Sequence, residues 1–136
     1  HASIKIDGKI ITQIEKGILA FAGITKEDTL NSCSRLFDKL LNYRIFHDEN
    51  QKMNLNLQQV KGELLLVSQF TLAANTKSGN RPGFDPAMEP VEAEKMYNGL
   101  VEYGRTKFPE LKTGIFGADM KILLENEGPV TFILQS

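Results

Sequence analysis

The run ELLLVSQFTL, from Glu63 to Leu72, constrains this chain more than any other stretch. Successive strand residues point to opposite faces, and here Leu64 to Val67 make both faces apolar. That pattern predicts a central strand, covered on both sides. The run closes on polar side chains, Ser68, Gln69 and Thr71. Continued alternation sets Gln69 and Thr71 on one face and Ser68 with Phe70 on the other. Two roles are open to the cluster: it satisfies the backbone where the strand leaves the sheet, or it floors a pocket whose donors face a ligand.

The flanking segments supply partners for such a strand. ASIKIDGKIITQI alternates apolar and polar residues about Asp7-Gly8, the form of a hairpin with a tight turn. ILAFAGI is a short apolar run fit for a buried strand. Thr25 is read as an N-cap with Asp28 completing a capping box, leading a helix with Leu30, Cys33, Phe37, Leu40 and Leu41 on one face. RIFHDENQKMNLN reads as a second hairpin turning near Asp48–Asn50. Residues 73–89 form a long loop, and loops of that length in small domains tend to be functional or mobile. Pro90 opens a second amphipathic helix with Ala93, Met96, Tyr97, Leu100 and Val101 inward. LKTGIF, ADMKILLE and VTFILQS are expected as closing strands. The order β-β-β-α-β-β-β-α-β-β-β defines an α+β domain on a largely antiparallel sheet or barrel, with two amphipathic helices.

A chain of 136 residues holds one core, so residues 1–136 are read as a single domain. The opening HASIKIDG reads as the inside of a strand, so some N-terminal residues are expected to be missing. A net charge of −1 gives no general field for nucleic acid, and any such role needs a local basic patch. The lone Cys33 excludes an internal disulfide and fits a reducing, cytoplasmic setting. No apolar run is long enough to span a membrane.

No standard catalytic signature is present. His1 and His47 stand far in sequence from Cys33, and no spacing suits a metal, so neither metal nor cofactor is expected. Cys33 on the apolar helix face reads as core, and His47–Asp48 as a solvated turn. NEGPVT, from Asn126 to Thr131, is on local grounds a turn that uses Asn126 and Gly128, with Pro129 at the first position of a strand.

Taken together, SQFTL and NEGPVT resemble the SQ-x-T and N-x-G-P-x-T motifs of the D-aminoacyl-tRNA deacylase (D-tyrosyl-tRNA deacylase) family. The resemblance continues through NYRIFHDENQKMNLNL, RPGFDPA and TGIFGADM, and covers nearly the whole chain. The family's further N-terminal strand, which carries an arginine, is where this chain departs.

The resemblance implies hydrolysis of the ester joining a D-amino acid to the terminal ribose of tRNA, and of glycyl-tRNA mischarged on tRNA-Ala. It implies a cis Gly128–Pro129 bond in a homodimer, with both carbonyls inserted into the partner's site to exclude L-amino acids. Asn126 and Thr131 belong to that substrate-binding motif, and Ala87 to the RPGFDPA stretch. A backbone N–H near Phe70 is the implied oxyanion donor, Ser68 and Gln69 line the site, and Thr71 positions rather than attacks. Phe116 and Met120 hold the terminal adenine, against a plain core role; Lys77 and Arg81 meet the acceptor arm, against a solvated loop. A non-catalytic RNA-binding module and a hydrolase of another small acyl ester are the competing readings.

Overall fold

The computed structural model describes residues His1–Ser136. The chain opens with the expected hairpin, β1 (Ala2–Ile6) against β2 (Lys9–Ile14). Its turn places Asp7 at φ 50 and Gly8 at φ 78, both left-handed, as the right-handed twist of a two-residue hairpin demands. Next come β3 (Gly17–Ala22), α1 (Leu30–Asn42), the small hairpin of β4 (Phe46–His47) and β5 (Met53–Leu55), and β6 (Glu63–Ser68). The chain then runs through α2 (Pro90–Lys107), β7 (Lys112–Thr113) and β8 (Lys121–Leu124).

β6 is central, as its two apolar faces require. It pairs in parallel with β3 on one side and β7 on the other, α1 and α2 lying in the crossovers. A second sheet, ordered β2-β1-β8, is antiparallel throughout, as is β4 with β5. The α+β class holds, with most pairings antiparallel and the innermost sheet parallel.

Period-two alternation along β6 divides the core. Leu64 and Leu66 join Ile18 and the helix residues Cys33, Phe37, Leu41, Tyr97, Leu100 and Val101. Leu65 and Val67 face the other way, onto Ala2, Ile4 and Ile14. The parallel sheet is thus a middle layer between the helices and the antiparallel sheet. Tyr97 keeps its buried hydroxyl satisfied by donating to the Leu66 carbonyl at 3.2 Å. Burial, with nearby Asp28 adding to it, raises the pKa of the Cys33 thiol, consistent with a core residue.

Four expectations are corrected. Thr29, not Thr25, caps α1, and the capping box forms with Ser32. Thr25 and Asp28 instead close a turn of their own, Asp28 Oδ2 accepting from the Thr25 N–H at 2.8 Å. This delays the helix and leaves Leu30 about half exposed in its first turn. The strand predicted to reach Leu72 stops at Ser68 and tightens into a 3₁₀ turn over Phe70–Ala73, so the two-face assignment of residues 68–71 fails. The closing strands are shorter than their apolar runs, and VTFILQS joins no sheet within the chain.

Candidate active site

Why the central strand gives way to a tight turn can be read from its neighbour. The Gln69 N–H donates to the Ala22 carbonyl at 2.8 Å, and the chain then bends across Gly23. A Cβ at Gly23 would stand 2.8 Å from Leu72 Cβ and 3.2 Å from the Gln69 carbonyl oxygen, so only glycine admits this approach. The Leu72 N–H returns to the Gln69 carbonyl at 3.1 Å and closes the turn.

Within it, Gln69 Nε2 donates to Thr71 Oγ1 at 2.6 Å. The hydroxyl's partner is therefore an amide, which cannot act as a base toward it. Ser68, at the end of β6, is half-buried. Phe70 is 60% exposed and sets its ring 5.1 Å from that of Phe84, at 50°. Phe84 is not among the residues that the sequence alone singles out; the signal for it is that it is the one aromatic of residues 73–89.

That loop is more ordered than its composition suggests. Asn75 and Gly83 exchange main-chain hydrogen bonds of 2.7 and 3.0 Å, closing off residues 76–82. Lys77 is held near the start of the enclosed segment, its N–H donating to Asn75 Oδ1 at 3.0 Å. Arg81 lines a shallow cavity of about 220 Å³ with Thr76, Gly79, Asn80 and Pro82. Further on, Ala87 bridges to Thr25 and donates its N–H to the Phe84 carbonyl at 3.0 Å.

The second motif also closes on itself. Asn126 Oδ1 accepts from the Val130 N–H at 3.1 Å, while its Nδ2 donates to Thr131 Oγ1 at 2.8 Å. Between them the Gly128–Pro129 bond is cis, as the resemblance implies, and Gly128 takes φ 121. Gly128, Pro129 and Thr131 are all exposed. No hydrogen bond links this loop to residues 68–71 of the same chain.

Phe116 and Met120 are half-buried on opposite sides of the middle layer. Phe116 packs on the helix-side core with its ring 5.8 Å from Tyr97, and Met120 on the core beneath the antiparallel sheet. The fold gives each a packing role, while leaving part of each side chain accessible. No helix is long and apolar enough to cross a membrane.

The molecule so described is an α+β domain of one central strand and two self-closed polar motifs, which presents main-chain groups and aromatic rings rather than a nucleophile with its base. Comparison with known proteins identifies the class further. The family model for D-Tyr-tRNA(Tyr) deacylase matches residues 1–135, and the chain belongs to that family, a family of hydrolases. A protein of Dichelobacter nodosus named D-aminoacyl-tRNA deacylase is 56% identical over 98% of this chain and 92% of its own length. One of Acinetobacter baumannii with the same name is 53% identical over 99% of this chain and 92% of its own. Among solved structures, one titled c-Myc DNA Unwinding Element Binding Protein superposes with a TM-score of 0.94 at 38% identity, over 99% of this chain and 92% of its own. A probable eukaryotic D-amino acid tRNA deacylase shares the fold, with a TM-score of 0.76 at 14% identity over 93% of this chain and 89% of its own.

Proposed function

We propose that this chain hydrolyses the ester of D-aminoacyl-tRNA, releasing free amino acid and tRNA. The observation that carries the reading is that both family motifs are present as closed turns, in a chain 56% identical to a D-aminoacyl-tRNA deacylase.

The mechanism follows from what the site offers. Ester hydrolysis needs an activated oxygen nucleophile and a donor for the developing oxyanion. Thr71 Oγ1 is tied to an amide, so the nucleophile is a water activated with the help of the substrate's own neighbouring ribose 2′-hydroxyl. The water oxygen bonds to the acyl carbon, the ester bond breaks, and the ribose oxygen leaves with a proton from that water. The Phe70 N–H, at the start of the 3₁₀ turn, serves as oxyanion donor, with Ser68 and Gln69 lining the site. Phe116 and Met120 present their accessible edges to the terminal adenine, Ala87 borders the bound ester, and Lys77 and Arg81 approach acceptor-arm phosphates.

Chirality is read by rejection. The carbonyls of Gly128 and Pro129 stand where an L side chain would project, and glycine, with no side chain, passes. Glycyl-tRNA mischarged on tRNA-Ala is therefore also a substrate. Since the loop that bears these carbonyls has no bond to its own chain's residues 68–71, it serves the site of a second copy in a homodimer. The exposed Leu123, Leu124 and Ile133 on either side of the loop support such a contact. The protein works in the cytoplasm, where its substrate is made.

Hydrolysis of matched D- and L-aminoacyl-tRNA, with glycyl-tRNA-Ala alongside, tests this reading. Turnover of the D form and the glycyl form with the L form spared is expected. Binding of tRNA with no turnover would favour a non-catalytic RNA-binding module, and turnover of simple acyl esters alone would favour another small-ester hydrolase.

A further inference from the structure

Resting on that reading, we propose that the Phe70–Phe84 ring pair is a stacking platform for the unpaired nucleobase next to the terminal adenosine of the tRNA. Neither ring joins either core cluster, and each is the other's aromatic neighbour. Phe70 is 60% exposed and Phe84 41%. Two adjoining large rings left open to water form an apolar patch, and such a patch beside a site marks a binding surface.

The rings are nonetheless held firmly by their backbones. Phe70 opens the 3₁₀ turn pressed against Gly23, and Phe84 follows Gly83, whose main chain is paired with Asn75. The Phe84 carbonyl is engaged by the Ala87 N–H at 3.0 Å. A fixed aromatic surface binds a flat ligand without first having to order itself.

Three considerations select a nucleobase as that ligand. The platform adjoins the residues that receive the ester, so the occupant is the next part of the same substrate. Every base has a π face, and an aromatic surface accepts it whatever the sequence. The segment closed by Asn75 and Gly83 carries Lys77 and Arg81 and no acidic residue, which suits the phosphates flanking such a base.

The test uses Phe84 variants, because the Phe70 main chain belongs to the reaction site. Phe84→Leu keeps apolar bulk and removes the π face, and Phe84→Tyr keeps the face. Two substrates are compared: a D-aminoacyl RNA minihelix with a single-stranded 3′ end, and D-aminoacyl-adenosine, which lacks the preceding base. Binding is read separately from the fluorescence of a minihelix carrying 2-aminopurine at the nucleotide before the terminal adenosine. Phe84→Leu is expected to raise KM for the minihelix about tenfold, the order of one base–aromatic stack, with kcat kept. Hydrolysis of D-aminoacyl-adenosine should be unchanged, the quenching of 2-aminopurine lost, and both properties retained in Phe84→Tyr. Equal loss on the two substrates would assign the rings to the aminoacyl group or to the fold, and unchanged KM and quenching would remove the platform; either overturns the proposal. Phe84-dependent quenching by a wild-type protein that hydrolyses neither substrate would uphold the platform and refute the deacylase reading.

Discussion

Asn126 and Thr131 hold the Gly128–Pro129 loop between them: the Asn126 amide donates to Thr131 Oγ1 at 2.8 Å and its carbonyl accepts from the Val130 N–H at 3.1 Å. The two polar ends of the hexapeptide are thereby a clasp, and the residues between them are presented outward. On the proposed function, Asn126 and Thr131 act on the substrate through the shape of the loop.

The clasp sets an order of effects. Asn126→Ala removes both hydrogen bonds and Thr131→Val one, so the first should lower kcat/KM for D-aminoacyl-tRNA more. A loss on the order of tenfold to a hundredfold is expected for Asn126→Ala, the scale of slight misplacement at a reacting centre. Because the loop is exposed, thermal unfolding should hardly move. Single-turnover hydrolysis beside a melting curve checks both, and equal activity of the two variants would contradict the clasp.

Thr71→Ala should cost less than about tenfold in kcat, since a hydroxyl bonded to the Gln69 amide has no base to activate it. Loss of a covalent nucleophile would instead cost ~10⁴ or more. Rapid quench with labelled D-amino acid, searching for an acyl-enzyme in the wild type, separates the two cases.

Much of this architecture was legible in the residues. β6 declared its place through two apolar faces, and Asp7-Gly8 through a turn only left-handed φ values close. Cys33 reads as core from its place on the apolar helix face, and it is buried. What escaped was set by contacts distant in sequence. SQFTL continues a strand pattern locally, and its bend at Ser68 depends on Ala22 and Gly23, which approach only in the folded sheet. VTFILQS has the composition of a strand and no paired strand within its own chain, a fact no periodicity reveals. Thr25 and Thr29 are equally good caps by type, and the choice went to the residue whose box partner is Ser32. The motifs themselves were visible, but their internal hydrogen bonds were not, because side-chain pairing depends on backbone angles that the sequence alone does not display.

Gly23→Ala tests how the site depends on the sheet. Its Cβ would press on Leu72 Cβ at 2.8 Å and on the Gln69 carbonyl oxygen at 3.2 Å; the second is backbone and the first is bonded directly to it, so neither moves without the turn. A loss of about 1–3 kcal/mol in unfolding free energy is expected, typical of overpacking. Activity should fall as well, because the turn that must shift carries Phe70 and Thr71. Urea denaturation and hydrolysis rates, measured together, should both decline.

Tyr97 gives a pH dependence with a defined sign. Burial raises its pKa from 10.0 to about 12, against the lowering effect of the Arg105 charge. The folded pKa lies above the unfolded one, so the contribution to stability is complete below pH 10 and is lost as pH rises from 10 toward 12. Tyr97→Phe should begin less stable by about 1 kcal/mol, through loss of the hydrogen bond to Leu66. Its melting temperature should then fall less steeply than the wild type's over that alkaline window. Tyr103, whose pKa is raised by its hydrogen bond to Asp38, is common to both proteins and cancels in the comparison. Parallel slopes for the two proteins would exclude this role for Tyr97.

The final prediction concerns the segment that joins no sheet in its own chain. β8 lies at one end of the order β2-β1-β8, so it offers a free edge, and an unpaired edge is a template for another strand. Leu123, on that edge, is 68% exposed, and Ile133, beyond the clasped loop, is 86% exposed. Single exposed apolar residues are ordinary, but here Leu124 and Phe132 are exposed beside them, which is the pattern of a surface that is covered in use. A charged residue placed there should be harmless to a lone chain and unfavourable in an interface of this kind. The double variant Leu123→Glu with Ile133→Glu should therefore have a monomer's mass by sedimentation and an unchanged circular dichroism spectrum. If the Gly128–Pro129 loop completes the site of a second copy, the same variant should also lose hydrolysis of D-aminoacyl-tRNA. A monomer that retained full activity would show that each chain works alone. A dimer that survived both glutamates would place its contact on another face of the molecule.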